Sequence, residues 1–265
     1  MLNLKRTTIV AVAAAVFIVG TGLTSFAEET EKPSADLSVA LLSKYVWRGF
    51  ELSKDSLVIQ PSLTASYMGF GFNLWGNLDT DQDMELFGVD GGANWNETDM
   101  TLSYDNSAGI VGYSVGYIYY ALDGADDTQE AYASISLDTI LAPTLTVYRD
   151  WDQFPGWYST LGVSHSFPLS ETIALDLGGH ISYMSSDDAS TIADPGDPTS
   201  GYSDFHDGLL SVSASIPLTD YLSITPELYY SFALGSDASD IIKAASASGD
   251  DDDFIYGGIT LSMSL

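Results

Sequence analysis

The sequence has no cysteine, three histidines and only 8 Lys+Arg against 37 Asp+Glu, for a formal net charge of −29. Without cysteine there is no disulfide framework and no thiolate chemistry. With so few cations there is no basis for nucleic-acid binding, whose affinity comes from Lys and Arg on phosphates. Beyond the first 27 residues no apolar run reaches the ~20 residues that a transmembrane helix needs. What is present favours order: 45% of the residues are hydrophobic, 12% are aromatic and 16 are tyrosine. Acidic disordered chains lack such a composition.

The N-terminus reads as a leader. Lys5 and Arg6 precede an apolar run from Ile9 to about Gly20, and Ser25-Phe26-Ala27 forms a small-x-small cleavage signal before Glu28. That order predicts a secretory signal peptide over 1–27, its apolar run too short to span a bilayer. A short periplasmic segment, 28–35, and a single domain, 36–265, would follow.

Beyond the leader the chain alternates. In "YLSITPELYYSFAL" Leu222, Ile224, Pro226, Leu228, Tyr230, Phe232 and Leu234 share one face, opposite Ser223, Thr225, Glu227, Tyr229, Ser231 and Ala233. "GITLSMSL" and "FGFNLWGNL" behave alike. Period two is strand geometry. Twelve such segments are expected, at 36–48, 55–67, 69–80, 97–106, 110–121, 128–138, 143–150, 156–167, 172–184, 204–217, 221–234 and 252–265. Most are long enough to cross a bilayer as tilted strands, which takes about 9–11 residues. Their apolar faces carry rings near the ends (Trp47, Tyr67, Phe70, Tyr119, Phe167 and Tyr183), as interfacial aromatic girdles do.

The connections alternate long and short, starting with "GFELSKD" and "MGF" and ending with "PLTD" and "GSDASDIIKAASASGDDD". Outer-membrane barrels have long extracellular loops and short periplasmic turns. A soluble β-sandwich would not need that alternation, and its outward faces would be polar. The fold class expected is therefore all-β: an antiparallel transmembrane β-barrel of about twelve strands in the outer membrane of a Gram-negative bacterium, with lipid and lipopolysaccharide as its surroundings.

Parity then assigns the inner wall. With Leu37, Val39, Leu41, Tyr45 and Trp47 toward lipid, Lys44 and Arg48 fall inside. A lipid-facing Lys near midplane costs about 2–4 kcal/mol. The candidate pore-lining residues are Lys44, Arg48, Gln60, Asn73, Trp75, Asn77, Asp99, Asp105, Asp176, His180 and Glu227. Tyr132, Tyr148 and Tyr229 share the inward parity and offer a ring surface for a solute. Inward carboxylates need partners or water, and the two cations are natural partners.

"SKYVWRG", together with the following "QPSLTASY" and the terminal strand, resembles the TorF-type porin family of bacterial outer-membrane barrels. The resemblance implies an outer-membrane location and a channel, and brings no catalytic residues.

"DTDQDMELFGVD" spaces Asp79, Asp81 and Asp83 as a calcium loop spaces its first ligands, but Met84 stands where an EF-hand needs Gly, and Asp90 replaces the bidentate Glu. The three aspartates are the candidate metal ligands, and a solvated acidic loop is the competing reading. His180 falls inward, His165 outward near the periplasmic end, and His206 at a loop edge. No Ser–His or acid–His constellation assembles with specificity, so no enzyme and no cofactor is expected. The function expected is passive diffusion of small hydrophilic solutes or ions, with cations preferred. The alternative is a structural or adhesion barrel whose acidic loops bind divalent cations.

Overall fold

Alternating side chains make a ribbon with one apolar and one polar face, and closing that ribbon on itself hides both the polar face and the strand edges. The computed structural model, which describes residues 32–82 and 91–265, shows that closure. Twelve antiparallel strands form the barrel: β1 (Ser34–Leu42), β4 (Val58–Tyr67), β5 (Phe70–Asp79), β6 (Asn94–Ala108), β7 (Val111–Leu122), β8 (Thr128–Leu137), β9 (Thr144–Asp150), β10 (Gly156–Pro168), β11 (Ala174–Ser186), β14 (Ser203–Pro217), β15 (Leu222–Ala233) and β16 (Asp253–Ser264). Each pairs with its sequence neighbour, and β1 closes the ring on β16 through Asp36↔Ser264 to Leu42↔Gly258.

Outward positions are apolar and exposed: Leu37 and Leu41 on β1, Leu63 and Tyr67 on β4, Leu161 and Val163 on β10, Ile259 and Leu261 on β16. Such a surface suits lipid rather than water. Tyr67, Phe70, Phe167 and Tyr183 sit exposed toward the strand ends. No helix among the described residues is long and apolar enough to cross a membrane.

The turns on one side are tight. Met68 and Gly69 both have positive φ, 52° and 82°, which is the type I′ geometry that matches the right-handed twist of a hairpin. The connections on the other side carry structure of their own. The first holds a small hairpin, β2 (Val46–Trp47) with β3 (Phe50–Glu51). Another holds β12 (Ala193–Asp194) with β13 (Asp197–Gly201), and the last holds helix α1 (Ser236–Ala245).

Three boundaries differ from the expectation. β1 starts at Ser34, paired with Ser66, so residues 34–35 belong to the barrel. It also ends at Leu42 instead of running to 48. Tyr45 is buried, and Trp47 packs inside against Tyr120, so neither ring faces lipid. α1 replaces an expected irregular loop, with Ala238, Ile241 and Ile242 as its buried stripe.

Since the chain lacks cysteine, single substitutions report topology. A membrane-impermeant maleimide on intact cells should label Lys54→Cys in the exposed first connection and leave Glu171→Cys, in a short turn, unlabelled. The reverse pattern would invert the orientation. The refolded protein should also change gel mobility on boiling, because a barrel without free edges resists detergent until heated.

Candidate functional site

The first connection does not stay outside. At Ser43 the chain leaves the β1 ladder, held to β16 by Ser43 N–H donating to Gly257 O at 3.0 Å. It then folds back as a hairpin, closed by Leu52 N–H to Tyr45 O at 2.7 Å and Tyr45 N–H to Ser53 Oγ at 2.6 Å. The two residues at its tip, Arg48 and Gly49, have φ of 50° and 83°. This is again the primed turn, and its second position tolerates little but glycine. A Cβ on Gly49 would lie 2.9 Å from Ile242 Cδ1 and 3.0 Å from Asp207 Cβ. The "WRGF" sequence therefore makes a tight reversal that carries a cation on its tip.

The hairpin reaches across the barrel interior. Tyr45 packs on Trp75 of β5 (ring centroids 5.6 Å apart), Trp47 on Tyr120 of β7 (6.2 Å) and Phe50 on His206 of β14 (5.1 Å). Val46 and Phe50 join Tyr158, Met184, Leu209, Tyr229, Phe254, Tyr256 and the α1 residues Ile241 and Ile242 in one apolar cluster. Glu51 fastens the hairpin to the last connection. Its N–H donates to Ser246 Oγ (3.0 Å), its carbonyl accepts from Ala247 N–H (2.8 Å), and its carboxylate accepts from Ser248 N–H (3.0 Å) and Lys44 Nζ (2.5 Å). Burial works against the Lys44 ammonium, but Glu51 and Asp55 outweigh it and hold its pKa above the ordinary lysine value. On the side of the long connections the barrel interior is thus occupied by the hairpin and the last connection packed together.

Arg48 makes the farthest contacts. Its Nη1 and Nη2 donate to Glu130 Oε1 and Oε2 at 2.7 and 2.6 Å, the parallel fork that suits guanidinium and carboxylate. Its Cζ lies 4.4 Å from the Trp47 ring centroid, 5.0 Å from that of Tyr148 and 4.4 Å from that of Tyr158. Tyr120 Oη donates to Glu130 Oε2 at 2.9 Å. Glu130 is only 3% exposed. Removing one partner of a buried ion pair costs about 3–5 kcal/mol, because the other charge is left without compensation.

A bulge prepares the opposite wall. Ile181 pairs with Gly208 but Tyr183 pairs with Phe205, so His206 and Asp207 together face the single residue Ser182. Both are buried instead of alternating in and out. His206 Nε2 meets Arg48 O at 3.0 Å, and Asp207 Oδ1 accepts from Ser182 Oγ at 2.5 Å and Tyr158 Oη at 2.9 Å. Strict parity cannot foresee this pair, and His206 lies within β14 rather than at a loop edge. Ser182 donates to Asp207 and His180 Nε2 lies 3.5 Å from the same carboxylate, so these three residues form no hydroxyl-to-imidazole relay.

Lys44 and Arg48 are therefore not on the wall of the first strand, where alternation put them. They belong to the in-folded segment, and each is paired with an acid. Glu130 and Tyr158, which hold Arg48, were readable from alternation but carried no cue to a partner.

The other candidates line the inner face of the strands. Gln60 Nε2 donates to Asn77 Oδ1 (3.0 Å), and Asn77 Nδ2 to Asn96 Oδ1 (2.7 Å). Asn73 Nδ2 donates to Ser62 Oγ and Thr64 Oγ1, both at 2.8 Å. Glu227 accepts from Thr260 Oγ1 at 2.5 Å and Tyr229 Oη at 2.6 Å. Trp75 and Asp99 are cross-strand neighbours, Asp105 accepts from Ser103, and Asp176 and His180 share the inner face of β11. Hydroxyls dominate the rest: Ser114, Ser134, Thr146, Thr160 and Ser182 sit side by side on five adjacent strands. Of the proposed metal ligands, Asp79 accepts from Ser56 Oγ (2.5 Å) and Asp81 N–H (3.0 Å), Asp81 accepts from Gly92 N–H (2.9 Å), and Asp83 lies outside the described residues. No group of three or more His, Asp or Glu side chains converges as a metal site among the described residues.

No protein-family model and no curated protein matches this sequence. Solved structures similar to it include an outer-membrane channel of Pseudomonas putida F1 (10% identity over 88% of this chain and 94% of that one, TM-score 0.44). OmpF of Salmonella typhi in complex with daunomycin is similar at 6% identity over 88% and 97%, TM-score 0.40. OmpT of Vibrio cholerae is similar at 9% identity, again over 88% and 97%, TM-score 0.40. The closed twelve-strand ring, the apolar exterior and the alternation of long and short connections make this chain a bacterial outer-membrane β-barrel.

Proposed function

We propose that the barrel is a porin-like channel for small hydrophilic solutes, cation-preferring, and constricted in its extracellular half by the hairpin of the first connection. The observation that carries this reading is the polar inner wall on the side of the short turns. Asn73, Asp105, Ser134, Thr160, Asp176 and His180 share the inward parity there and keep part of their surface open to solvent. An inner face that is both polar and wetted suits a water-filled lumen, whereas a barrel sealed as a scaffold would pack it with apolar side chains. The resemblance of "SKYVWRG" to TorF-type porins points the same way.

Charge supports the cation preference. Beyond the leader, 37 acids face six cations, Lys32, Lys44, Arg48, Lys54, Arg149 and Lys243. Lys44 and Arg48, both on the in-folded segment, are cancelled by Glu51 and Glu130. Asp105 and Asp176 on the wall and the acidic connections around the mouth then set the field, which salt screens over ~8–10 Å at physiological strength. The occupied interior on the side of the long connections favours a second reading, a structural or adhesion barrel that passes no solute.

Planar-bilayer recording separates the two. The wild type should show small unit conductance, and under a salt gradient a cation-selective reversal potential that shrinks as ionic strength rises. Deleting residues 45–52, or replacing Arg48 by Gln, should raise both conductance and cation preference, since the constriction loosens and Glu130 loses its counter-ion. A silent wild type together with a silent deletion variant would establish the structural barrel instead.

A further inference from the structure

The barrel wall builds the Arg48 receptacle from residues that do not belong to the hairpin. Tyr120, Glu130, Tyr148 and Tyr158 lie on the consecutive strands β7, β8, β9 and β10, held in register by the sheet. Glu130 offers both carboxylate oxygens to one guanidinium at 2.7 and 2.6 Å, and Tyr120 Oη holds one of those oxygens at 2.9 Å. The Tyr148 and Tyr158 rings stand 5.0 and 4.4 Å from the guanidinium carbon. A fixed carboxylate fork between aromatic faces is the chemistry that recognises a planar, delocalised cation. Arg48, by contrast, hangs from a two-residue turn at a φ of 50°, a backbone region that side-chain-bearing residues seldom occupy. The host is part of the sheet and the guest is on a tether.

We propose that this cage is a binding site for guanidinium-bearing solutes, filled in this conformation by the chain's own Arg48 as an internal stand-in. The proposal deepens the channel reading, on which it rests for the hairpin's withdrawal from the lumen. If Arg48 leaves and nothing replaces it, Glu130 remains buried and unpaired, so withdrawal is unfavourable without a replacement cation. A solute guanidinium restores both hydrogen bonds and both ring contacts. An alkylammonium is a point charge that cannot form the fork, and a sodium ion keeps its water. Solute entry and hairpin withdrawal are then linked, because the solute prefers the withdrawn state. In the wild type a soluble guanidinium must compete with a tethered one, whose effective concentration on a short linker is on the order of millimolar or more.

The test vacates the cage and refills it. Arg48→Ala and Arg48→Ala/Glu130→Gln are refolded in detergent, and the thermal unfolding midpoint is followed by boiled-versus-unboiled gel mobility and circular dichroism. Each is titrated with methylguanidinium chloride to millimolar concentration, with methylammonium chloride and sodium chloride at matched ionic strength as controls. Arg48→Ala should unfold below the wild type and recover part of the loss with methylguanidinium alone. In the double variant the apparent affinity should fall on the order of tenfold or more, since the charge-assisted fork is gone. Guanidinium acting as a denaturant would lower the midpoint, so a rise has the opposite sign and reports binding. Should Arg48→Ala not refold, Arg48→Lys, which keeps a charge without the fork, carries the same titration. Equal recovery with all three salts, recovery that survives Glu130→Gln, or no recovery in a folded variant each overturns the proposal. Because the readout is stability and not current, a barrel that conducts nothing leaves this result standing and overturns only the channel reading.

Discussion

A carboxylate sealed inside a barrel needs a cation or a set of hydrogen-bond donors, and the Arg48–Glu130 pair meets that constraint in a way that shapes the interior on the side of the long connections. Glu130 is fixed on β8, so its partner has to come to it from the mouth of the lumen. Only a hairpin with a very short turn delivers one side chain that far without filling the barrel with backbone. The turn in turn demands Gly49, whose hydrogen-sized face is pressed by Ile242 and Asp207. Ile242 requires a helix in the last connection, and Asp207 requires the bulge that turns two adjacent β14 residues inward. Packing, turn chemistry and sheet irregularity thus converge on one charge placement.

The barrel itself was legible because its strands follow a period of two over most of their length, with lipid on one side. Twelve segments were expected and twelve were found, with most boundaries within a few residues. The first strand failed for a physical reason. Tyr45 and Trp47 keep the outward phase of Leu37, Val39 and Leu41, and an aromatic ring suits a lipid interface and a packed plug equally well. Nothing in the pattern separates the two environments, and the departure is made at Ser43, a residue without a break signal. Helix α1 was hidden by its composition, since the aspartates and serines around Ala238, Ile241 and Ile242 read as a solvated loop.

The site was half legible. Alternation placed Gln60, Asn73, Trp75, Asn77 and Glu227 on the inner face, and would have placed Glu130 and Tyr158 there too. Which inward acid meets which cation depends on where a connection folds, and no periodicity encodes that. The bulge at Ser182 adds a second limit. Past it the phase shifts by one residue, so His206 and Asp207 are both interior where alternation sends one of them out.

A chain this poor in cations places them with care. Among the described residues four cations form ion pairs with neighbouring acids: Lys44 with Glu51, Arg48 with Glu130, Arg149 with Asp187 and Lys243 with Asp252. These pairs are not equivalent. Arg149–Asp187 and Lys243–Asp252 are partly exposed, and pairs of that kind contribute about 0–1 kcal/mol and weaken with salt. Arg48 and Glu130 are shielded from solvent, so ions in the medium screen them little. Salt therefore relaxes the rim while leaving the hairpin tip anchored. A response at the tip has to come from a species that enters the lumen and replaces the guanidinium chemically, because screening from outside does not reach it.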